Sequence, residues 1–255
     1  MPAELDMTTS GDQFQRDDEL MEKLLRNYAR GGIRISAWRQ RFNFIGKKAI
    51  WVVVVQGSLA FKRSLDILGS ALGLVLLFPI LVLTALAIKL EDRGPVFYVQ
   101  KRVGKWGKIF RMYKFRSMIM GADRIKDQLM DQNEAGEVMF KIKRDPRITK
   151  VGRIIRKLSI DELPQLYNVL KGDMSLVGPR PALPREAAKY SLSERRRLDV
   201  IPGITCLWQV KGRSDIDFAG QVSLDVKYLE SQSLWGDIVL LLKTIPAVIS
   251  GKGAY

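Results

Sequence analysis

The feature that most constrains this chain is Ile67–Ile88, 22 consecutive residues without a charged side chain. As a helix it would be about 33 Å long, enough to cover a hydrocarbon core of roughly 30 Å. Helices buried in soluble cores rarely run that far without a polar face. Pro79 interrupts the run, where it removes a backbone donor and crowds the preceding turn. Both flanks are basic, with Lys47, Lys48, Lys62 and Arg63 before the segment and Lys89, Arg93, Lys101, Arg102 and Lys105 after it. The positive-inside tendency, applied to both flanks, puts both on the cytoplasmic side. A helix–break–helix hairpin that enters and leaves by one face satisfies both observations. A kinked single span is the alternative, since membrane helices tolerate proline.

Composition narrows the chemistry. Lys and Arg total 42 against 27 acidic residues, a net charge of +15, which points to anionic partners: acidic lipids, phosphorylated substrates or nucleic acid. Nucleic acid is disfavoured, because the charge flanks a membrane segment and no RNA or DNA motif is present. The chain has no histidine, which excludes His-assisted Ser or Cys triads and His-ligated metals. The single cysteine, Cys206, excludes an internal disulfide framework and a cysteine zinc site. Acid–base or covalent work therefore falls to carboxylates, Lys, Tyr or Ser, and a metal would need oxygen ligands, as Mg²⁺ or Mn²⁺ does.

Three regions are expected: a basic or disordered arm over 1–48, a membrane-associated segment over 49–90, and a catalytic domain over 91–255. The arm opens with seven acidic residues before position 26 and no apolar run, unlike a secretory signal. From Arg26 to Arg63 it carries nine basic residues and no acidic one, suited to anionic membrane lipids. Ala49–Phe61 is a second apolar stretch, too short to span. Beyond the membrane segment the pattern is α/β and mostly helical. Strands are expected at Pro95–Gln100 and Lys108–Phe115 around a Gly-rich turn. Helices are expected at Asp123–Gln132, Ile148–Leu158, Asp161–Leu170, Arg185–Leu198, Gln221–Leu229 and Asp237–Ile249. Trp208, Tyr228 and Trp235 suit either the core or a membrane interface.

Three clusters could carry chemistry. In the first, Asp161 and Glu162 follow Arg153, Arg156 and Lys157. A capping box from Ser159 to Glu162 would put Pro164 where its missing N–H costs a bond. Asp161 as the N-cap would put Pro164 at N3, at no cost. The functional alternative uses the same geometry: a carboxylate at a helix start, in a positive field that also collects phosphate. One acid could then attack phosphorus while the other holds Mg²⁺. The second cluster, Pro179-Arg180-Pro181, fixes the backbone around one guanidinium; its bland reading is a turn with a solvated arginine. The third, Arg111 to Arg116, is a strand that aims Lys114 and Arg116 away from Phe115, or simply an amphipathic strand.

Taken with Lys62-Arg63-x-x-Asp66, Gln100-x-Arg102-x-Gly104, Asp145-Pro146-Arg147, Leu158-Ser-Ile-Asp161-Glu162-Leu-Pro-Gln, Gly172 to Pro181, Trp208 to Arg213 and the terminal Gly-Lys-Gly-Ala-Tyr255, these clusters resemble one family. It is the bacterial sugar transferases, specifically the monotopic polyprenyl-phosphate phosphoglycosyl transferases, in the short form that transfers hexose 1-phosphate to start exopolysaccharide or capsule synthesis. The resemblance covers about Phe61–Tyr255. It implies a cytoplasmic catalytic domain on the bacterial inner membrane, behind an N-terminal re-entrant helix hairpin. The implied reaction joins undecaprenyl phosphate and a UDP-hexose to give undecaprenyl diphosphate-hexose and UMP. Asp161 would be the nucleophile that carries the phosphosugar, and Glu162 would assist with Mg²⁺. Arg180 with Pro179 and Pro181 would form part of the nucleotide site. Lys114, Arg116, Arg153 and Arg156 would contact phosphate. Lys62, Arg63, Asp66 and Pro79 would set the hairpin at the interface. Cys206 stands where relatives commonly have glycine. The choice of glucose or galactose and any homo-oligomer stay open, and a non-enzymatic membrane adaptor is the rival reading.

Overall fold

The computed structural model describes residues 56–125, 127–132, 140, 142, 145–212 and 216–251, together with residues 19, 22 and 23. The rest of the arm over 1–48, most of the 49–61 apolar stretch, Arg213 and the terminal motif after Gly251 therefore lie outside the described residues. The chain divides into two compact units, Met1–Leu59 and Ala60–Tyr255. The second unit carries the elements that position the site.

The apolar segment forms two helices, α1 (Gln56–Leu76) and α2 (Phe78–Asp92), bent by 60°. Among the described residues no single helix is long and apolar enough to cross a membrane, but this pair passes that test together. The break is at Leu77, two residues before Pro79, which sits in the first turn of α2. That offset has a simple cause: proline cannot bond the carbonyl four residues earlier, so the turn in front of it opens. The result is a bent pair, the shape of a broken span or of a re-entrant loop. Leu68, Leu72, Val75, Leu76, Phe78 and Leu83 are exposed on this pair.

The other side of α1 is docked. Asp66 is buried and its Oδ1 accepts from Ser175 Oγ at 3.0 Å and Leu176 N at 2.9 Å. Arg63 donates to Val169 O at 2.6 Å and Leu170 O at 2.8 Å. Lys62 donates to Val177 O at 3.3 Å and pairs with Asp237. Gly69 allows the close approach, since a Cβ there would lie 2.8 Å from Leu176 Cδ1.

Two two-stranded sheets follow. Strands β1 (Phe97–Val103) and β2 (Ile109–Phe115) pair antiparallel, from Phe97 opposite Phe115 to Val103 opposite Ile109. Strands β3 (Ser175–Val177) and β4 (Gly203–Thr205) pair in parallel. The helices around them are α3 (Lys150–Lys157), α4 (Gln165–Lys171), α5 (Leu207–Lys211), α6 (Phe218–Glu230) and α7 (Leu234–Ser250). The fold is thus mostly helical, as expected, with small sheets.

Three apolar clusters hold the unit together. Phe110 and Met112 of β2 pack with Val169 of α4 and Met174. Ile88 of α2, Phe115 and Ile155 of α3 form the second, and Val177, Tyr228 and Leu240 the third. The expected helix over Arg185–Leu198 is broken into the turns Pro184–Ala187, Leu192–Arg195 and Arg196–Leu198. Ser191 restarts the chain there through a capping box with Glu194. Likewise Asp123–Gln132 is a short turn, Ala122–Ile125, and a 3-10 segment, Asp127–Gln132. Trp208 and Tyr228 are core residues, whereas Trp235 is 73% exposed. With Ile238, Leu242, Ile245 and Ile249 it forms an exposed apolar stripe along α7.

Candidate active site

Asp161 is presented by a short turn between two helices. Thr149 caps α3, accepting from Gly152 N at 2.9 Å. The last turn of α3 carries Arg156 and Lys157, and Ser159 then adopts the left-handed conformation at φ 55°. A non-glycine residue there is mildly strained, by about 1–2 kcal/mol, and here it stops the helix. The chain next tightens into a 3-10 turn, Ile160–Glu162, with Glu162 N on Ser159 O at 3.2 Å and Leu163 N on Ile160 O at 3.1 Å. Pro164, not Asp161, is the N-cap of α4. This corrects the capping expectation: Asp161 lies inside the 3-10 turn and its carboxylate satisfies no helix end. Pro164 still does no harm, because a residue before the first helical turn needs no N–H bond.

The neighbouring carboxylate is engaged by two cations through one oxygen. Lys114 Nζ on β2 donates to Glu162 Oε1 at 2.8 Å, and Arg180 Nη1 donates to the same oxygen at 3.1 Å. Burial would raise the Glu162 pKa, but Lys114 and Arg180 outweigh it and hold the acid well below the usual carboxylate range. Asp161 behaves oppositely. Burial pushes it up to about 6, Lys114 opposes the rise and Glu162 adds to it. Two adjacent acids are thereby separated in character: one a permanent anion that organises cations, the other a more basic carboxylate (9% exposed) left available for reaction. Burial lowers the pKa of Lys114, while Glu162 raises that of Arg180.

Both residues line a cleft of about 1060 Å³, which Lys114, Arg116, Arg156, Arg180 and Pro181 line as well. That volume is at the large end for small-molecule sites. Pro179 and Pro181 hold Arg180 through their carbonyls: Pro179 O accepts from Gly203 N at 2.9 Å, and Pro181 O from Arg102 Nη1 at 2.9 Å. Arg116 reaches the cleft wall but is paired with Asp92 at the end of α2. Arg153 is exposed on α3 and is not among the residues lining the cleft. Lys62, Arg63 and Asp66 are not brought into the cleft; they fasten α1 to β3, α4 and α7.

Two supporting residues carry no strong sequence signal. Asn168 is fully buried on α4; its Oδ1 accepts from Tyr113 N at 3.0 Å and its Nδ2 donates to Arg111 O at 2.7 Å. It acts as a piece of strand on the edge of β2, setting the register between Lys114 and the Glu162 turn. Arg102 is the other; only its place in the Gln100-x-Arg102 motif marks it. Among the described residues there is no group of three or more His, Cys, Asp or Glu able to hold a metal. Asp161 and Glu162 offer two carboxylates at most, which fits Mg²⁺ only in its habit of taking the remaining ligands from substrate phosphate and water.

The sequence profile described as "Bacterial sugar transferase" matches residues 57–251. A protein of Streptococcus agalactiae named "Galactosyl transferase CpsE" is 50% identical over 194 residues, which cover 76% of this chain and 43% of that protein. The "Undecaprenyl-phosphate galactose phosphotransferase" of Salmonella typhimurium is 42% identical over 223 residues, 84% of this chain and 47% of its own length. The chain thus spans less than half of these two relatives. It covers 88% of the "Exopolysaccharide production protein ExoY" of Rhizobium meliloti, at 40% identity over 198 residues. On this match, which takes in both helices of the bent pair and the whole cleft, the chain belongs to the bacterial sugar transferase family.

Proposed function

We propose that this protein transfers a hexose 1-phosphate from a UDP-hexose to undecaprenyl phosphate, giving undecaprenyl diphosphate-hexose and UMP, as the first step of an exopolysaccharide or capsule. The observation that carries this reading is the division between Asp161 and Glu162. An acid raised toward neutrality yet ionised at pH 7 is a competent nucleophile, and its neighbour keeps two cations beside it. The relatives' names supply the substrate class.

In the first step a carboxylate oxygen of Asp161 attacks the sugar-bearing phosphorus. The bond from that phosphorus to the bridging oxygen breaks, and its electron pair leaves with UMP. Lys114 and Arg180 offset the charge that collects on the phosphate oxygens. In the second step an oxygen of undecaprenyl phosphate attacks the same phosphorus and the Asp161 carboxylate departs. Mg²⁺, when bound through Asp161, Glu162 and the substrate diphosphate, would supply further charge neutralisation. The lipid acceptor requires the cleft to meet a membrane. The basic flanks, the bent pair α1–α2 and the exposed stripe of α7 support a re-entrant attachment to the cytoplasmic face of the inner membrane, where anionic lipids would add to the attraction.

Purified membranes supplied with undecaprenyl phosphate and labelled UDP-glucose or UDP-galactose test this reading. Phosphosugar transfer with release of UMP is expected, together with a labelled protein intermediate that Asp161→Asn cannot form. Release of UDP, or full transfer by Asp161→Asn, would overturn it. A mere adaptor would show neither transfer nor dependence on Asp161.

A further inference from the structure

Arg102 carries a charge that the fold partly buries without pairing it. Its Nε and Nη2 both donate to Gln100 Oε1, at 3.0 and 2.6 Å, and its Nη1 to Pro181 O at 2.9 Å. All three acceptor contacts go to neutral oxygens, and two of the five guanidinium N–H groups are left over. Lys114, Arg116, Arg147, Arg180 and Arg197 each sit on a carboxylate. Among the described residues Arg102 has no such partner, although it lines the same cleft.

Its orientation is built, not incidental. Gln100 Nε2 donates to Tyr98 Oη at 3.4 Å, and Tyr98 Oη donates to Asp123 Oδ2 at 3.1 Å, so a relay of side chains along β1 aims the guanidinium. On the other side, Val103 N bonds Ala182 O at 2.9 Å and lays the Pro179–Ala182 segment against β1. That pairing holds Arg102 beside Arg180, whose charge adds to the cost of burying it. Glu162 is already shared between Lys114 and Arg180, and Glu186, the other carboxylate that favours the Arg102 charge, makes no ion pair with it, so the spare guanidinium N–H groups stay open to an anion. A phosphate oxygen supplies what is missing, and the planar fork suits it.

We infer that Arg102 is a second diphosphate-binding arginine, which grips the phosphate that departs with the nucleotide. This rests on the reaction proposed above. The assignment to the departing phosphate follows from position: Lys114, Arg156 and Arg180 are the cations that act most strongly on Asp161, whereas Arg102 is tied to Gln100 and to the Pro181 carbonyl. Arg102 therefore stabilises the charge that develops on the leaving group, and holds the product afterwards.

The test compares UMP with uridine, which lacks the phosphate, by calorimetry on the full chain in lipid nanodiscs. The wild type is expected to bind UMP more tightly than uridine. Arg102→Gln should weaken UMP at least tenfold and leave uridine within twofold. Arg102→Lys, which keeps charge and loses the fork, should fall between them. Equal weakening of UMP and uridine would mean that Arg102 only shapes the cleft, and unchanged UMP binding in both variants would equally overturn the inference. A wild type with no preference for UMP would instead remove the nucleotide reading beneath it.

Discussion

Lys114 Nζ and Glu162 Oε1 lie 2.8 Å apart, joining the β1–β2 hairpin to the turn that carries Asp161. The side chains are 13% and 15% exposed, so solvent does little to weaken the pair. Because Arg180 reaches the same oxygen, three segments distant in sequence meet on one atom. The reactivity of Asp161 is set from this junction, since Lys114 is the charge that most opposes the rise in its pKa.

Asp161→Asn should abolish transfer while raising stability. The folded pKa of Asp161 lies above its unfolded value of 3.8, at about 6, so the ionised acid disfavours the fold above pH 6 and not below pH 3.8. Removing it should gain on the order of 1–3 kcal/mol at pH 7–8 and nothing near pH 3.5. Thermal unfolding of both proteins across that range is the check, and an unstable variant at pH 8 would contradict the burial argument.

Transfer should fall as pH drops through about 6, where Asp161 protonates, and not through the ordinary carboxylate range. Lys114→Met should move this acid limb upward by roughly one pH unit, since it removes the main opposing charge. Single-turnover rates against pH read both. An unmoved limb would show that the titrating group is another residue.

Glu162→Gln strips Lys114 and Arg180 of their shared anion. We expect a loss of roughly 2–4 kcal/mol in stability, as when one partner of a buried charge cluster is removed. Turnover should fall at least a hundredfold. Glu162→Asp, which restores charge but not reach, should recover stability only in part, as measured by denaturant titration.

Asp66→Ala should loosen α1 without touching the cleft. Its carboxylate bonds Ser175 and Leu176, and a lost charged hydrogen-bond acceptor costs about 1.5–3 kcal/mol. Limited proteolysis should cut near α1 sooner than in the wild type, while UMP binding by the intact fraction stays unchanged.

Gly152→Ala should damage the site from a distance. A Cβ on Gly152 would overlap the Ser117 carbonyl, which is backbone and cannot step aside. Helix α3 would shift, taking Arg156 and the Asp161 turn with it. Lost activity at near-normal helix content by circular dichroism is the expected signature.

Much of this architecture is legible along the chain. Two strands around a Gly-rich turn are legible, expected at 95–100 and 108–115 and found at 97–103 and 109–115, as are α3 and α7 from their periodicity. Proline placement exposes the break in the apolar segment, although the opening falls at Leu77 because proline acts on the turn before it. The start of α4 is misread because nothing in the residue types announces that Ser159 will turn left-handed. The pairing of Lys114 with Glu162 is also hidden: the residues are 48 positions apart, and only the packed fold brings them together. Asn168 and Arg102 are unreadable for a related reason. Asn168 bonds main-chain atoms of β2, which leave no mark on local sequence pattern, and Arg102, although Gln100 lies two residues away, donates its other bond to the Pro181 carbonyl of a distant segment.

The attachment of α1 has an asymmetric consequence. Arg63 bonds the carbonyls of Val169 and Leu170, Lys62 that of Val177, and Asp66 the amide of Leu176. A peptide group offers these atoms whichever side chain it bears, proline aside at the amide. The receiving surface can therefore drift in sequence at Val169, Leu170, Leu176 and Val177 without releasing the helix, and answers with side chains only at Ser175 and Asp237, whereas the grip is encoded in three side chains within five consecutive positions. Transplanting Lys62–Asp66 onto another apolar helix would carry most of the joint with it, provided that Ser175 and Asp237 stay in place on the opposite side.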